Sequence, residues 1–141
     1  MAKSGRYSAD RKKIENITGN KTIEVHDCGT IFTIGSVAAT LTLPTMAKAG
    51  AGWWCRFVVN DETAAVEIDK AAADTANQMV GMVITLDDNA AAQMQPASGG
   101  AYDKITFTAN VVQGDFVEIS TDGTLWYVTG TSAVVDAITC A

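Results

Sequence analysis

The chain has 141 residues, 48% of them hydrophobic, and a formal charge of −6. That length supports one domain around one core, although many of the apolar residues are Ala and bury little area each. The acidic balance argues against nucleic-acid binding, which needs a basic patch on the folded surface. No apolar run approaches the ~20 residues of a membrane-spanning helix, so no membrane partner is expected.

Residues 1–20 show no strand or helix period. Five of the ten basic residues (Lys3, Arg6, Arg11, Lys12 and Lys13) fall within the first 13, where Asp10 is the only acid. This stretch therefore carries +4 and the rest of the chain −10. A segment of this composition cannot bury enough of itself to fold alone. We read an extended basic N-terminal arm over 1–20 and a β domain over 21–141. Lys3, Arg6, Tyr7, Arg11, Lys12 and Lys13 are the arm residues expected to contact a partner. No apolar stretch follows the charged start, so no secretory signal is expected. The triplets Asn16-Ile17-Thr18 and Asn20-Lys21-Thr22 then read as ordinary turn and strand residues rather than glycosylation sites.

Lys21–His26 alternates, with Ile23 and Val25 on one face and Thr22, Glu24 and His26 on the other. Asp27–Gly29 is a turn. Ile31–Ile34 is a short strand, closed by Gly35 and Ser36. Ala39–Leu43 alternates again, and Pro44 ends it because Pro cannot donate to a ladder. Thr45–Gly52 has room for one helical turn, but Gly50 and Gly52 favour a loop. Trp53–Asn60 is the most apolar stretch. Trp53, Cys55, Phe57 and Val59 form one face; Trp54, Arg56 and Val58 form the other. Large residues on both faces make this strand central or covered on both sides. Asn60–Glu62 turns the chain, and Ala65–Asp69 is expected to return as its hairpin partner.

Lys70–Asn77 is Ala-rich and reads as a short helix or a surface loop. Gln78–Leu86 is a strand interrupted by Gly81, which signals a bulge or a close backbone approach. Asp87–Ala101 reads as a long loop. Lys104–Ala109 is a strand, and Ala133–Thr139 is the last. Between them, Gly114–Gly130 reads as a β-hairpin about Asp122-Gly123. A two-residue type I′ loop there pairs Thr121 with Thr124, Ile119 with Trp126, and Val117 with Val128. Val117, Ile119, Trp126 and Val128 then share the core face, and Glu118 and Tyr127 share the other. The fold class is all-β: a single-domain sandwich or barrel of about nine to ten short antiparallel strands. No internal repeat of 20–50 residues is evident.

Little in the sequence signals chemistry. His26 and Cys28 could supply two metal ligands, but no second pair lies nearby, so no metal site is expected. Three Cys at wide spacing (Cys28, Cys55, Cys140) read as free thiols. The acidic pairs Asp61/Glu62 and Asp87/Asp88 sit in turns and read as solvated. No nucleophile motif, phosphate loop or dinucleotide fingerprint occurs, and neither catalysis nor a cofactor is expected. Trp53, Trp54, Trp126 and Tyr127 could stack on pyranose rings. Strand alternation assigns Trp53 and Trp126 to the core. Trp54, Arg56 and Tyr127 remain as oligomer-interface candidates, since interfaces favour these residue types.

Gly114-Asp-Phe-Val-Glu-Ile-Ser, then Asp122-Gly-Thr, then Trp126-Tyr-Val-Thr-Gly resembles the closing hairpin of small β-rich virion proteins of tailed bacteriophages. Leu41-Thr42-Leu43-Pro44, a small-residue loop and Trp53–Val59 are similar to an earlier strand–loop–strand unit of the same proteins. The resemblance implies a capsid decoration (cement) protein. Such a protein binds the outside of a phage head as a homo-oligomer, here expected as a trimer, and stabilises the shell. Its partners are then itself and the major capsid protein, and its location the virion, assembled in the host cytoplasm. A tail or fibre module binding carbohydrate or another virion protein is the alternative that the same resemblance allows.

Overall fold

The computed structural model describes residues 11–61, 65–76, 78–86, 93–96 and 100–141. The chain is all-β, with strands in two sheets. The strands are β1 (Ile14–Asn16), β2 (Lys21–Thr22), β3 (Ile31–Ile34), β4 (Ala39–Thr42), β5 (Trp54–Val59), β6 (Val66–Asp69), β7 (Met79–Thr85), β8 (Gln93–Gln95), β9 (Lys104–Phe107), β10 (Phe116–Thr121), β11 (Trp126–Ser132) and β12 (Ile138–Cys140). One helical turn, α1 (Met46–Ala49), lies between β4 and β5. The seven-stranded sheet runs β1-β3-β5-β10-β11-β7-β8, and the five-stranded sheet β12-β9-β6-β4-β2.

From β1 to β7 the chain alternates between the two sheets, changing sheet at every connection. As far as β6, every second strand therefore lies beside its predecessor in the same sheet and runs in the same direction, whereas β7 lies between β11 and β8. β1 pairs in parallel with β3, β3 with β5, β2 with β4 and β4 with β6. β11 and β7 are also parallel. The wholly antiparallel arrangement expected from the sequence is thus corrected: half of the described pairings are parallel. Val66–Asp69 is not the hairpin partner of β5. It crosses to the other sheet and pairs with β4 and β9.

The closing hairpin lies inside the larger sheet, where β10 joins β5 to β11. Its register is shifted by two residues from the sequence reading: Thr121 faces Trp126, Ile119 faces Val128, and Val117 faces Gly130. A shift of two preserves side-chain parity, so the expected faces survive. Val117, Ile119, Trp126 and Val128 are buried, and Glu118 and Tyr127 point outward. The loop is longer because the Asp122 carboxylate organises it. Asp122 Oδ1 accepts from the amides of Thr124 (2.8 Å) and Leu125 (2.9 Å), and Thr121 Oγ1 donates to the Leu125 carbonyl at 2.7 Å. This is the Asx-turn alternative to a type I′ loop.

Alternating residues of both sheets meet in one core that includes Phe32, Phe57, Phe107, Leu41, Ile68, Ile105 and Trp126. Phe32 stacks on Phe57 at 5.4 Å, and Trp53 meets Trp126 edge-on at 5.6 Å. Gly81 (φ +120°) is the expected close approach: a Cβ there would lie 2.0 Å from the Val128 carbonyl oxygen.

Further local readings also change: the stretch 87–101, read as a loop, contains β8, and the last strand begins only at Ile138 rather than at Ala133. Lys21–His26 is a strand only over its first two residues, after which Val25–Asp27 forms a 3-10 turn. Thr45–Gly52 contains α1, with Thr45 Oγ1 accepting from the Lys48 amide as N-cap. Within 1–20, Ile14–Asn16 pairs with β3 and Ile17 is buried.

Candidate functional site

The outward face of the seven-stranded sheet is built by register. The hairpin-tip row runs Val80–Tyr127–Ser120–Trp54. The middle row runs Met82–Thr129–Glu118–Arg56–Ile31–Ile14. The far row runs Ile84–Thr131–Phe116–Val58–Thr33–Asn16. All three interface candidates lie on this face. Trp54 and Arg56 are half-buried on β5, and Tyr127 is 44% exposed on β11.

Each candidate is held in place. Arg56 donates through Nε (3.0 Å) and Nη2 (2.6 Å) to Glu118 Oε2, and its guanidinium lies 5.2 Å from the Phe116 ring centre. Both side chains of that pair are about one-third exposed (36% and 32%), so water screens it and its net contribution is ~0–1 kcal/mol. Its effect is to fix two charged planar groups at the middle of the face. Tyr127 Oη donates to Asp122 Oδ2 at 2.8 Å. The turn amides and the Thr124 and Tyr127 hydroxyls hold the Asp122 carboxyl far below the usual range, and the Tyr127 phenol is raised by its bond to Asp122. Lys12 Nζ lies 5.6 Å from the Trp54 ring centre, a cation–π geometry. Lys12, Gly52, Trp54, Arg56, Glu118 and Ser120 line an open groove of about 490 Å³.

At the opposite end of the face the surface turns apolar. Met82 and Ile84 are each 39% exposed and Leu86 is 70% exposed. These residues follow from the alternation of β7, but the Gly81 interruption hid their common face in the sequence. The other sheet presents a contrasting exterior. Its rows read Thr139–Thr106–Glu67–Thr40 and Lys104–Asp69–Thr42–Thr22, and Lys104 Nζ reaches Glu67 at 3.2 Å. That face is hydroxyls and ion pairs, a solvated surface.

Of the arm residues, Lys3, Arg6 and Tyr7 lie outside the described residues. Arg11, Lys12 and Lys13 are exposed. Lys13 Nζ is 3.2 Å from Asp27 Oδ1 and 3.2 Å from Glu15 Oε2, while Lys21 Nζ is 2.7 Å from Glu15 Oε1 and 3.7 Å from Asp27 Oδ2. Asp27, read from sequence as a plain turn residue, is 1% exposed. Its Oδ2 accepts from the Glu24 amide at 3.0 Å, forming a capping box with Glu24. Burial pushes the Asp27 carboxyl up, but the Glu24 amide, Lys13 and Lys21 together outweigh it and leave it lowered. The bond to Asp27 raises Lys13. This cluster ties the incoming segment to the domain.

His26 and Cys28 do not share a strand face, because the 3-10 turn intervenes; both are exposed. Among the described residues no group of three His, Cys, Asp or Glu could hold a metal ion, and no helix is long and apolar enough to cross a membrane. Glu62, Asp87 and Asp88 lie outside the described residues. Cys28 is exposed, Cys55 buried and Cys140 half-buried, all as free thiols. No protein-family model matches this chain, and neither a curated protein nor a solved structure matches it.

Proposed function

We propose that the chain is a non-catalytic structural virion protein: a capsid decoration (cement) protein that binds the outside of a phage head as a homo-oligomer, a trimer, and stabilises the shell. In this reading the two sheets form a sandwich, and the N-terminal segment anchors the domain to the major capsid protein. The observation that carries the reading is the asymmetry of the two exteriors. One sheet presents threonines and ion pairs. The other presents Met82, Ile84 and Leu86, exposed at 39%, 39% and 70%. Three exposed apolar side chains along one strand suit a protein–protein contact, and the resemblance of the hairpin supplies its setting. Many copies on one particle make weak single contacts sufficient through multivalency.

The test mixes the protein with undecorated shells and counts bound copies by electron microscopy, while light scattering gives the free oligomer. The Met82→Glu/Ile84→Glu variant is expected to remain folded, since both side chains are exposed, and to lose the oligomer. Deletion of residues 2–10 spares the Lys13–Asp27 bond and is expected to leave a folded domain with weak, salt-insensitive shell binding. A deletion variant that decorates shells as tightly as the full chain removes the anchoring role. A monomeric wild-type protein with no affinity for shells removes the whole reading.

A further inference from the structure

The groove over Trp54 differs in chemistry from the apolar end of the same face. Its volume, about 490 Å³, falls among small-ligand sites of ~300–1,000 Å³. Trp54 offers a partly exposed indole with Gly29 packed beside it, where an added Cβ would make ordinary van der Waals contact with the ring at 3.7 Å. Tyr127 stands in the same row two strands away, because Trp54 faces Ser120 and Ser120 faces Tyr127. Strand spacing sets those two aromatic positions about 10 Å apart. That matches the separation of every second ring along a β-linked pyranose chain. Between and beside the two rings stand fixed polar groups of both kinds: the Arg56–Glu118 pair, the Ser120 hydroxyl and the Tyr127–Asp122 pair. Ring hydroxyls need such alternating donors and acceptors.

Charge selects among saccharides. Lys12 and Arg56 against Glu118 leave the groove with one net positive charge on a chain of −6. At the other end of the row, Asp122 makes the Tyr127 side acidic. A flat apolar partner fits poorly, since covering these three charges would strip them of water without new bonds. We infer that the groove is a subsite for a polysaccharide carrying uronic-acid rings. A carboxylated ring stacks on Trp54, taking the face over which Lys12 Nζ lies so that the ammonium pairs with the carboxylate, and the ring two units on stacks on Tyr127. This inference does not depend on shell binding.

The test uses the full chain and tryptophan fluorescence. Trp53 and Trp126 are 3% and 0% exposed, so quenching by a saccharide reports on Trp54. The β-1,4-linked mannuronate hexamer is the acidic probe, cellohexaose the neutral one of the same linkage, and polyglutamate the polyanion without rings. Saturable quenching by the acidic hexamer is expected, weaker with cellohexaose and absent with polyglutamate. Aromatic stacking makes Tyr127→Ala cost about three- to tenfold in affinity for the hexamer and nothing for the dimer. Lys12→Gln is expected to weaken the acidic hexamer only. Trp54→Ala is followed by calorimetry, with near-ultraviolet circular dichroism of the Trp53–Trp126 pair as the folding control, and Trp54→Phe should fall between it and the wild type. Equal binding of polyglutamate reduces the site to bulk charge attraction and overturns the inference. So does the absence of saturable quenching, or calorimetric binding unchanged in Trp54→Ala.

Discussion

Replacing Asp27 by Ala removes the acceptor that closes the Val25–Asp27 turn and the anion that holds the incoming chain. The side chain is 1% exposed, and its Oδ2 takes the Glu24 amide at 3.0 Å. A hydrogen bond to a charged group contributes ~1.5–3 kcal/mol. Lys13 and Lys21 are 54% and 28% exposed, so each regains water when the carboxylate is lost. The Lys21 contact adds only ~0.2–1 kcal/mol, and the solvent-exposed Lys13 contact is screened by water. The expected loss for Asp27→Ala is ~2–4 kcal/mol. Asp27→Asn keeps an acceptor for the Glu24 amide and should lose about half of that. Urea unfolding at neutral pH measures both, and amide hydrogen exchange at residues 14–17 reports whether β1 detaches before the domain unfolds. The pH profile gives a second reading. Asp27 is lowered in the native state, as is Glu15 through its bond to Lys21. Their stabilisation is complete above the ordinary carboxylate range of ~4 and is lost as pH falls through the lowered native values. Asp27→Asn should flatten that acid limb. Lys13 acts at the other end: its raised native pKa makes its share complete below ~10.4 and lost as pH rises above. A variant within ~0.5 kcal/mol of wild type, with an unchanged acid limb, would refute the claim that this cluster holds the segment.

Gly81→Ala places a Cβ 2.0 Å from the Val128 carbonyl oxygen at φ +120°. The β7–β11 ladder must open, and a loss above ~3 kcal/mol is expected, against less than ~0.5 kcal/mol for Gly19→Ala, which meets nothing within 4 Å. Phe57→Ala removes a fully buried ring stacked on Phe32 and should cost ~3–5 kcal/mol by chemical unfolding. Thiol titration of native protein should label Cys28 fast and Cys140 slowly, with burial raising the latter to about 11. Cys55, buried and raised well above the ordinary thiol value by desolvation, should react only on unfolding; rapid labelling of all three would contradict the packing of β5.

By itself the sequence determined what each strand does locally. Alternation in β5, β10 and β11 assigns buried and outward residues correctly, because side-chain period depends only on the strand's own pleat. It placed Trp53 and Trp126 in the core and Trp54, Arg56 and Tyr127 on an outer face, and it marked Gly81 as a bulge or a close approach, of which the structure has the latter. Parity survived even where the hairpin register did not, since a two-residue shift returns every side chain to its own side. Only the tertiary structure decided which strands are neighbours. β6 reads like a hairpin partner of β5, yet it crosses to the other sheet, because burying the inward faces of successive strands against each other draws the chain back and forth between two layers. The parallel pairs that result join residues about 17 to 27 apart, with no turn between them to advertise the pairing. The groove arises the same way. Lys12, Trp54 and Glu118 carry no spacing signal, and they converge because β10 lies against β5 and the N-terminal segment is pinned by Asp27, a residue whose burial nothing in its own neighbourhood of the chain reveals.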